Sequence, residues 1–228
     1  IRPYTDGAVI IKVGLTITQI LDVNENNKLI KVDGRLLMNW HDSRLAWNSK
    51  QYNDTTSLRL PAHKVWLPDI TLYNRYVQET PPSSKLRLVI YSNGMVSYIP
   101  KLSIESPCEL DKAAVFMVCS FKMGSWAYDG YSLDIRDYFG KGIISLEDFT
   151  QNSDWEIVNS TIRRNEKYYK CCSEPYPDLT FTLTIRRKER CLDCLVDVDV
   201  VPIILVAFLV PIQFLIPIGS RERATFSK

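Results

Sequence analysis

The stretch FTLTIRR, Phe181–Arg187, puts Phe181, Leu183 and Ile185 on one side of an extended chain and Thr182, Thr184 and Arg186 on the other. Side chains alternate with a period of two along a strand, so this pattern predicts a half-buried strand. Two other stretches repeat it. In VGLTITQI (Val13–Ile20), Val13, Leu15 and Ile17 oppose Thr16 and Thr18. In YSLDIRD (Tyr131–Asp137), Leu133 and Ile135 oppose Asp134 and Arg136. The segments KLRLVIY and VSYIP flank Ser92-Asn93-Gly94, where Asn-Gly predicts a two-residue hairpin turn. About ten such strands, separated by Pro- and Asn-rich breaks, predict an all-β chain: an immunoglobulin-like antiparallel β-sandwich. No repeat, low-complexity stretch or long soluble helix interrupts them.

Composition narrows the class of protein. The chain has 228 residues, 46% hydrophobic and 24% charged, with a formal net charge of +2. That is one domain with room for an appendage, without the basic footprint of a nucleic-acid binder. Six cysteines and two glycosylation sequons, at Asn53 and Asn159, point to an extracellular setting. No signal peptide precedes Ile1-Arg2-Pro3, which reads as a mature or trimmed start. From Val200 to Ile218 there is no charged residue. This is close to the ~20 residues a spanning helix needs. Pro202, Pro211 and Pro217 would damage a buried soluble helix, the alternative reading, and are better tolerated in a membrane. Basic residues flank the segment on both sides, so charge does not orient it. The cysteines and sequons place the large N-terminal part outside. The expected organisation is an extracellular sandwich over residues 1–197, a membrane helix over 198–219 and a cytoplasmic tail over 220–228, at the plasma membrane.

The cysteines fall into three close pairs: Cys108 with Cys119, Cys171 with Cys172, and Cys191 with Cys194. A disulfide between the first two closes a short loop, worth about 3 kcal/mol at that length. Adjacent Cα atoms lie about 3.8 Å apart, below the usual disulfide range. Cys171–Cys172 is therefore either a stiff vicinal bridge or a pair of free thiols. Cys191-Leu192-Asp193-Cys194 has redox-motif spacing, and a thiol–disulfide enzyme is one rival reading. No βαβ pattern surrounds it, and one pair supplies too few ligands for structural zinc, so a disulfide near the membrane is expected. His41 and His63 are isolated, and no protease or phosphate-loop pattern occurs. The sequence thus predicts no enzyme, no metal and no cofactor.

Several stretches carry a more specific signal. WLPDITLYN (Trp66–Asn74), GSWAYDGYSLDI (Gly124–Ile135) and YYKCCSEPYPDLTFTLTIRRK (Tyr168–Lys188) resemble three signature segments of nicotinic acetylcholine receptor subunits. GLTITQILDVNENNKLI (Gly14–Ile30) and WHDSRLAWN (Trp40–Asn48) resemble the family's early strands. The resemblance runs along nearly the whole chain. The last of the three signature segments, Tyr168–Lys188, is especially similar to the homomeric neuronal type of this pentameric Cys-loop family. The resemblance implies the extracellular domain and first membrane helix of a ligand-gated ion channel subunit, binding a small neurotransmitter-like ligand between neighbouring subunits. The principal face implied is Tyr73, Trp126, Tyr169 and Tyr176, capped by Cys171 and Cys172. The complementary face implied is Val89, Ser97 and Ile99, with Arg35 where the family places a Trp. Glu222 matches a family position at the inner mouth and leans toward cation selectivity. The related acetylcholine-binding proteins, which conduct nothing, are the alternative. The apolar Val200–Ile218 segment argues for the channel.

Three departures from the family pattern qualify these expectations. Arg35 at the cage wall would repel a cation, stack on the rings or point to solvent. The loop CELDKAAVFMVC, Cys108–Cys119, is shorter than the family's and lacks its Phe-Pro-x-Asp core, leaving Phe116 and Met117 as an expected apolar tip toward the membrane. The resemblance also implies a helix ahead of Ile1 and a pore-lining helix beginning at SRERATFSK.

Overall fold

In the computed structural model, residues 1–3, 7–74, 86–111 and 115–188 are described. The compact unit Ile1–Arg187 carries their secondary structure. The expected membrane segment, Cys191, Cys194, Glu222 and the domain boundaries at 197 and 219 lie outside the described residues. Among the described residues, no helix is long and apolar enough to cross a membrane.

Eleven strands are described: β1 Val9–Asn24, β2 Leu29–His41, β3 Ser57–Pro61, β4 Ile70–Leu72, β5 Arg87–Tyr91, β6 Met95–Tyr98, β7 Lys101–Leu110, β8 Phe116–Ser125, β9 Leu133–Asp137, β10 Trp155–Tyr168 and β11 Pro175–Arg187. They form an all-β sandwich. One sheet runs β9-β1-β2-β6-β5-β3, and the other is built from β10, β11, β8 and β4. The strand β7 belongs to both. Its first part, up to Pro107, pairs with β2; from Cys108 onward it pairs with β8. Pro107 has no N–H to give a ladder, which suits it to the changeover.

Alternation along β11 is as the sequence predicts. Phe181, Leu183 and Ile185 are fully buried, while the threonines between them are half-buried. Their core partners include Phe121 on β8, opposite Phe181, and Trp40 on β2. On β1 the outer face is covered as well, and Thr16 is buried. Ser145 bridges to this strand, with backbone hydrogen bonds from Ile17 N to Ser145 O (3.1 Å) and from Ser145 N to Leu15 O (3.1 Å). Tyr138 lies 2.8 Å from where a Cβ on Gly14 would stand. The segment after β9 therefore forms a cover that period-two reading of β1 does not reveal.

Two expectations need correction. The sandwich is not wholly antiparallel, because β9 runs parallel to β1 from Val9↔Leu133 to Val13↔Asp137. The two strands are remote in sequence, so no hairpin dictates their direction. The β5–β6 connection is a three-residue loop, Ser92-Asn93-Gly94, and not a two-residue turn. Gly94 N donates to Tyr91 O (2.8 Å), and only Gly94 takes a left-handed φ, of +83°. The Asn93 side chain then accepts from Met95 N (3.0 Å).

Candidate functional site

The site begins with a carboxylate. Asp69 precedes β4, and its Oδ1 accepts from Ser125 Oγ (2.6 Å) while its Oδ2 accepts from the backbone N–H of Trp126 (3.1 Å) and Ala127 (2.7 Å). Ser125 Oγ in turn accepts from Tyr128 N (3.0 Å). These bonds fix the turn after β8 so that the Trp126 indole stands out from the sheet, 78% exposed. Trp126 is thus no core residue. The core-facing aromatics nearby are Trp66 and Tyr128, with Trp66 edge-on to Trp40 at 6.0 Å.

Tyr73 follows β4 and lies across β8. Its phenol donates to Ser125 O (2.5 Å), and its ring sits where a side chain on residue 124 would project, so Gly124 is required there. Burial, reinforced by Tyr169, Asp178 and Asp69, pushes the Tyr73 hydroxyl up to about 12, and the phenol stays neutral at any ordinary pH. The Tyr73 and Trp126 rings meet edge to face, with centroids 6.2 Å apart.

The tip between β10 and β11 brings the other rings. Tyr169 and Tyr176 pack edge to face at 5.4 Å, with Cys171 and Cys172 bonded to each other between them in the chain. Cys172 N closes the turn onto Tyr169 O (3.2 Å). The Lys167 ammonium lies 4.8 Å from the Tyr169 ring centre. Gly130 N donates to Pro175 O (2.7 Å), which ties the loop that follows Trp126 to the start of β11 beside Tyr176, so the two ring pairs lie on neighbouring segments of the same sheet. The buried Asp178 accepts from Asn165 Nδ2 (2.8 Å) and pairs with Lys122 (3.1 Å) across the β8–β11 ladder. Sequence reading missed Asp69, Gly124, Lys122 and Asp178. Asp69, Gly124 and Asp178 stood inside the quoted stretches, but a carboxylate or glycine role needs coordinates to read.

The remaining candidates occupy the other sheet. Val89 on β5 and Ser97 on β6 are direct cross-strand partners, and Ser97 pairs with Asn39 on β2. The β2 register continues without a slip from Asn39 to Arg35, which faces Lys101, so Arg35, Val89, Ser97 and Ile99 share one outward face. Val89 and Ser97 are half-buried and Ile99 is 44% exposed. Arg35 neither stands free nor reaches the rings of its own chain: it forms an ion pair with Asp148. Of the expected residues, the structure thus brings together Tyr73, Trp126, Tyr169, Tyr176 and the two cysteines. It leaves the other four on a different sheet.

The Cys108–Cys119 bridge joins direct cross-strand partners with Cα atoms 4.0 Å apart. Beyond it β7 and β8 stay paired as far as Leu110 and Met117, and Met117 is buried, while Phe116 lies under the Arg186 guanidinium at 6.0 Å. The expected tip of Phe116 and Met117 is therefore corrected: Met117 turns into the core of the sandwich, and Phe116, on the opposite face of β8, is half-buried beneath Arg186. Asn53 and Asn159 are both exposed.

Comparison with known proteins agrees with this architecture. The family model described as "Neurotransmitter-gated ion-channel ligand binding domain" matches residues 1–189. The chain is 33% identical over 228 residues to neuronal acetylcholine receptor subunit alpha-2 of Gallus gallus, covering 98% of this chain and 42% of that protein. It is 33% identical to neuronal acetylcholine receptor subunit alpha-10 of Rattus norvegicus over 230 residues, covering 99% and 50%. It is also 33% identical to the acetylcholine receptor subunit alpha-type acr-16 of Caenorhabditis elegans over 220 residues, covering 95% and 43%. The chain spans half or less of the length of these relatives. It belongs to the neurotransmitter-gated ion-channel ligand-binding family, a family of channels and not of enzymes.

Proposed function

We propose that the chain is the extracellular part and first membrane helix of a pentameric, nicotinic-receptor-like channel subunit at the plasma membrane. Tyr73, Trp126, Tyr169 and Tyr176, capped by Cys171–Cys172, form the principal wall of a cage for an ammonium ligand. Arg35, Val89, Ser97 and Ile99 of a neighbouring subunit form the opposite wall. The observation that carries this reading is the exposed Trp126 indole held 6.2 Å from Tyr73 by the Asp69 bonds. An aromatic ring exposed that far, yet fixed by its backbone, has a face available to a ligand. A quaternary ammonium has no N–H to donate and is best held by the negative faces of such rings, each worth about 0.5–2 kcal/mol.

The division between sheets supports a site shared by two subunits. The ring cluster sits at the ends of β4, β8 and β10 and the start of β11, while Arg35, Val89 and Ser97 lie on β2, β5 and β6 and Ile99 follows β6. Pairing with Asp148 neutralises Arg35, so the complementary wall presents an ion pair instead of a bare cation. Binding acts through closure of the Cys171–Cys172 tip, which must favour the ligand in the closed arrangement. At the foot of β11, Arg187 pairs with Glu25 in the β1–β2 turn (2.9 Å), a contact through which strand movement reaches the membrane-facing end. The uncharged Val200–Ile218 segment then anchors the chain, and Glu222 favours cations in the pore.

Mixed assembly tests the shared site. Subunits carrying Trp126→Ala and subunits carrying Ser97→Arg each bind tetramethylammonium poorly alone. Co-expressed, they form some interfaces with both walls intact, and binding returns in part. Absence of any recovery would refute a site built from two subunits.

A further inference from the structure

A groove of about 470 Å³ runs between the segment after β9 and the start of β10, and none of the four rings or the two cysteines of the proposed cage lines it. Phe139, Ile143 and Val158 line it and are 40%, 49% and 48% exposed, an unusual gathering of large apolar side chains on a solvated surface. Its walls are fixed. Gly142, at φ +68°, receives the Ile162 N–H on its carbonyl (2.7 Å) and donates its own N–H to Asp137 Oδ2 (2.8 Å). On the opposite wall, β10 skips a residue between Ile157 and Asn159, and the bulge turns Val158 outward. Asn159, the first residue of the sequon Asn159-Ser160-Thr161, lines the same groove.

We infer that Asn159 carries an N-linked glycan whose first sugars lie in this groove instead of standing free in solvent. In the transfer, Asn159 Nδ2 loses a proton and bonds to the anomeric carbon of an oligosaccharide. That sugar is delivered on a lipid diphosphate, which departs as the leaving group. A pyranose ring presents a C–H face that packs on Phe139, Ile143 and Val158, while its hydroxyls reach Lys141 and Glu147 along the rim. Covalent attachment at the groove wall makes the effective concentration of sugar high, so weak contacts suffice to seat it. The seated glycan braces the 139–147 segment, which leads directly into Asp148, the partner of Arg35. This inference does not depend on the ligand reading.

The test uses the full chain made in eukaryotic secretory cells. Glycopeptide mass spectrometry should find Asn159 occupied. Under native conditions, a glycan-releasing amidase should free the Asn159 glycan about tenfold more slowly than from the Ile143→Ser/Val158→Ser variant, with equal rates after denaturation. Both substituted side chains are half exposed, so the core is preserved. A vacant Asn159, or equal native rates in parent and variant, would overturn the inference. As a second readout, Asn159→Gln should speed amide hydrogen exchange across residues 139–147, and unchanged exchange would also overturn it.

Discussion

At the scale of single residues, Arg35 shows what a side-chain identity conveys and what it conceals. Its replacement of the family's Trp was legible in the sequence, as were all four rings of the cluster, because the stretches that carry them resemble the family's signature segments. Its partner Asp148, 113 positions away, was not, since an ion pair between distant segments leaves no local pattern. The pairing makes two opposite predictions. Arg35→Trp should tighten tetramethylammonium binding, because a ring face replaces a cation, by about 1 kcal/mol or roughly fivefold. Asp148→Asn should weaken it, because the guanidinium is left uncompensated. Calorimetric titration of both variants checks the pair, and equal affinities in all three proteins would remove Arg35 from the site. A second carboxylate supplies a pH dependence. The buried Asp42 accepts from Arg44 N, Nε and Nη2 at 3.1, 2.8 and 2.7 Å, and the Arg44 side-chain bond holds its carboxyl below the usual carboxylate range. A pKa lowered by folding stabilises the native state above the unfolded value, and that stability is lost as pH falls through the folded one. Asp42→Asn should therefore cost about 1.5–3 kcal/mol at neutral pH. The cost should shrink below about pH 4, and chemical denaturation across that range measures it.

At the scale of elements, period-two alternation exposed the strands whose two faces differ, such as β11. It was blind where a further segment covers the outer face, as Ser145 and Tyr138 cover β1. It also could not show β7 changing sheets, because a strand that swaps partners keeps the same alternation. That changeover is held by Cys108–Cys119, which sits where β7 leaves β2 for β8. Replacing both cysteines by serine should lower stability by about 3 kcal/mol, seen as a lower urea midpoint. An unmoved midpoint would mean the bridge constrains nothing that pairing does not already hold. Gly124 offers a sharper probe of the crossing between Tyr73 and β8. Gly124→Ala forces the phenol aside and should cost about 1–3 kcal/mol, and under the proposed function it should also weaken ligand binding, since the displaced ring is Tyr73. Loss of stability with unaltered binding would separate Tyr73 from the ligand.

At the scale of the whole molecule, the ring cluster and the residues proposed for the opposite wall lie on different sheets, and under the proposed function assembly is what would join them. Pentamer formation came from the family resemblance alone, because composition carries no count of subunits. A detergent-extracted particle of five subunit masses is the expected native state. The β8 turn, the β4 end and the β10–β11 tip belong to one sheet, while Arg35, Val89 and Ser97 share the outward face of the other, where the proposed neighbour would sit. The most direct measurement is a fluorescence titration of the assembled chain with tetramethylammonium, beside the same titration of Trp126→Ala. The account predicts saturable binding in the parent and a loss of about tenfold or more in the variant. No saturable signal in calorimetry or fluorescence, or equal calorimetric affinity in the two proteins, would contradict it.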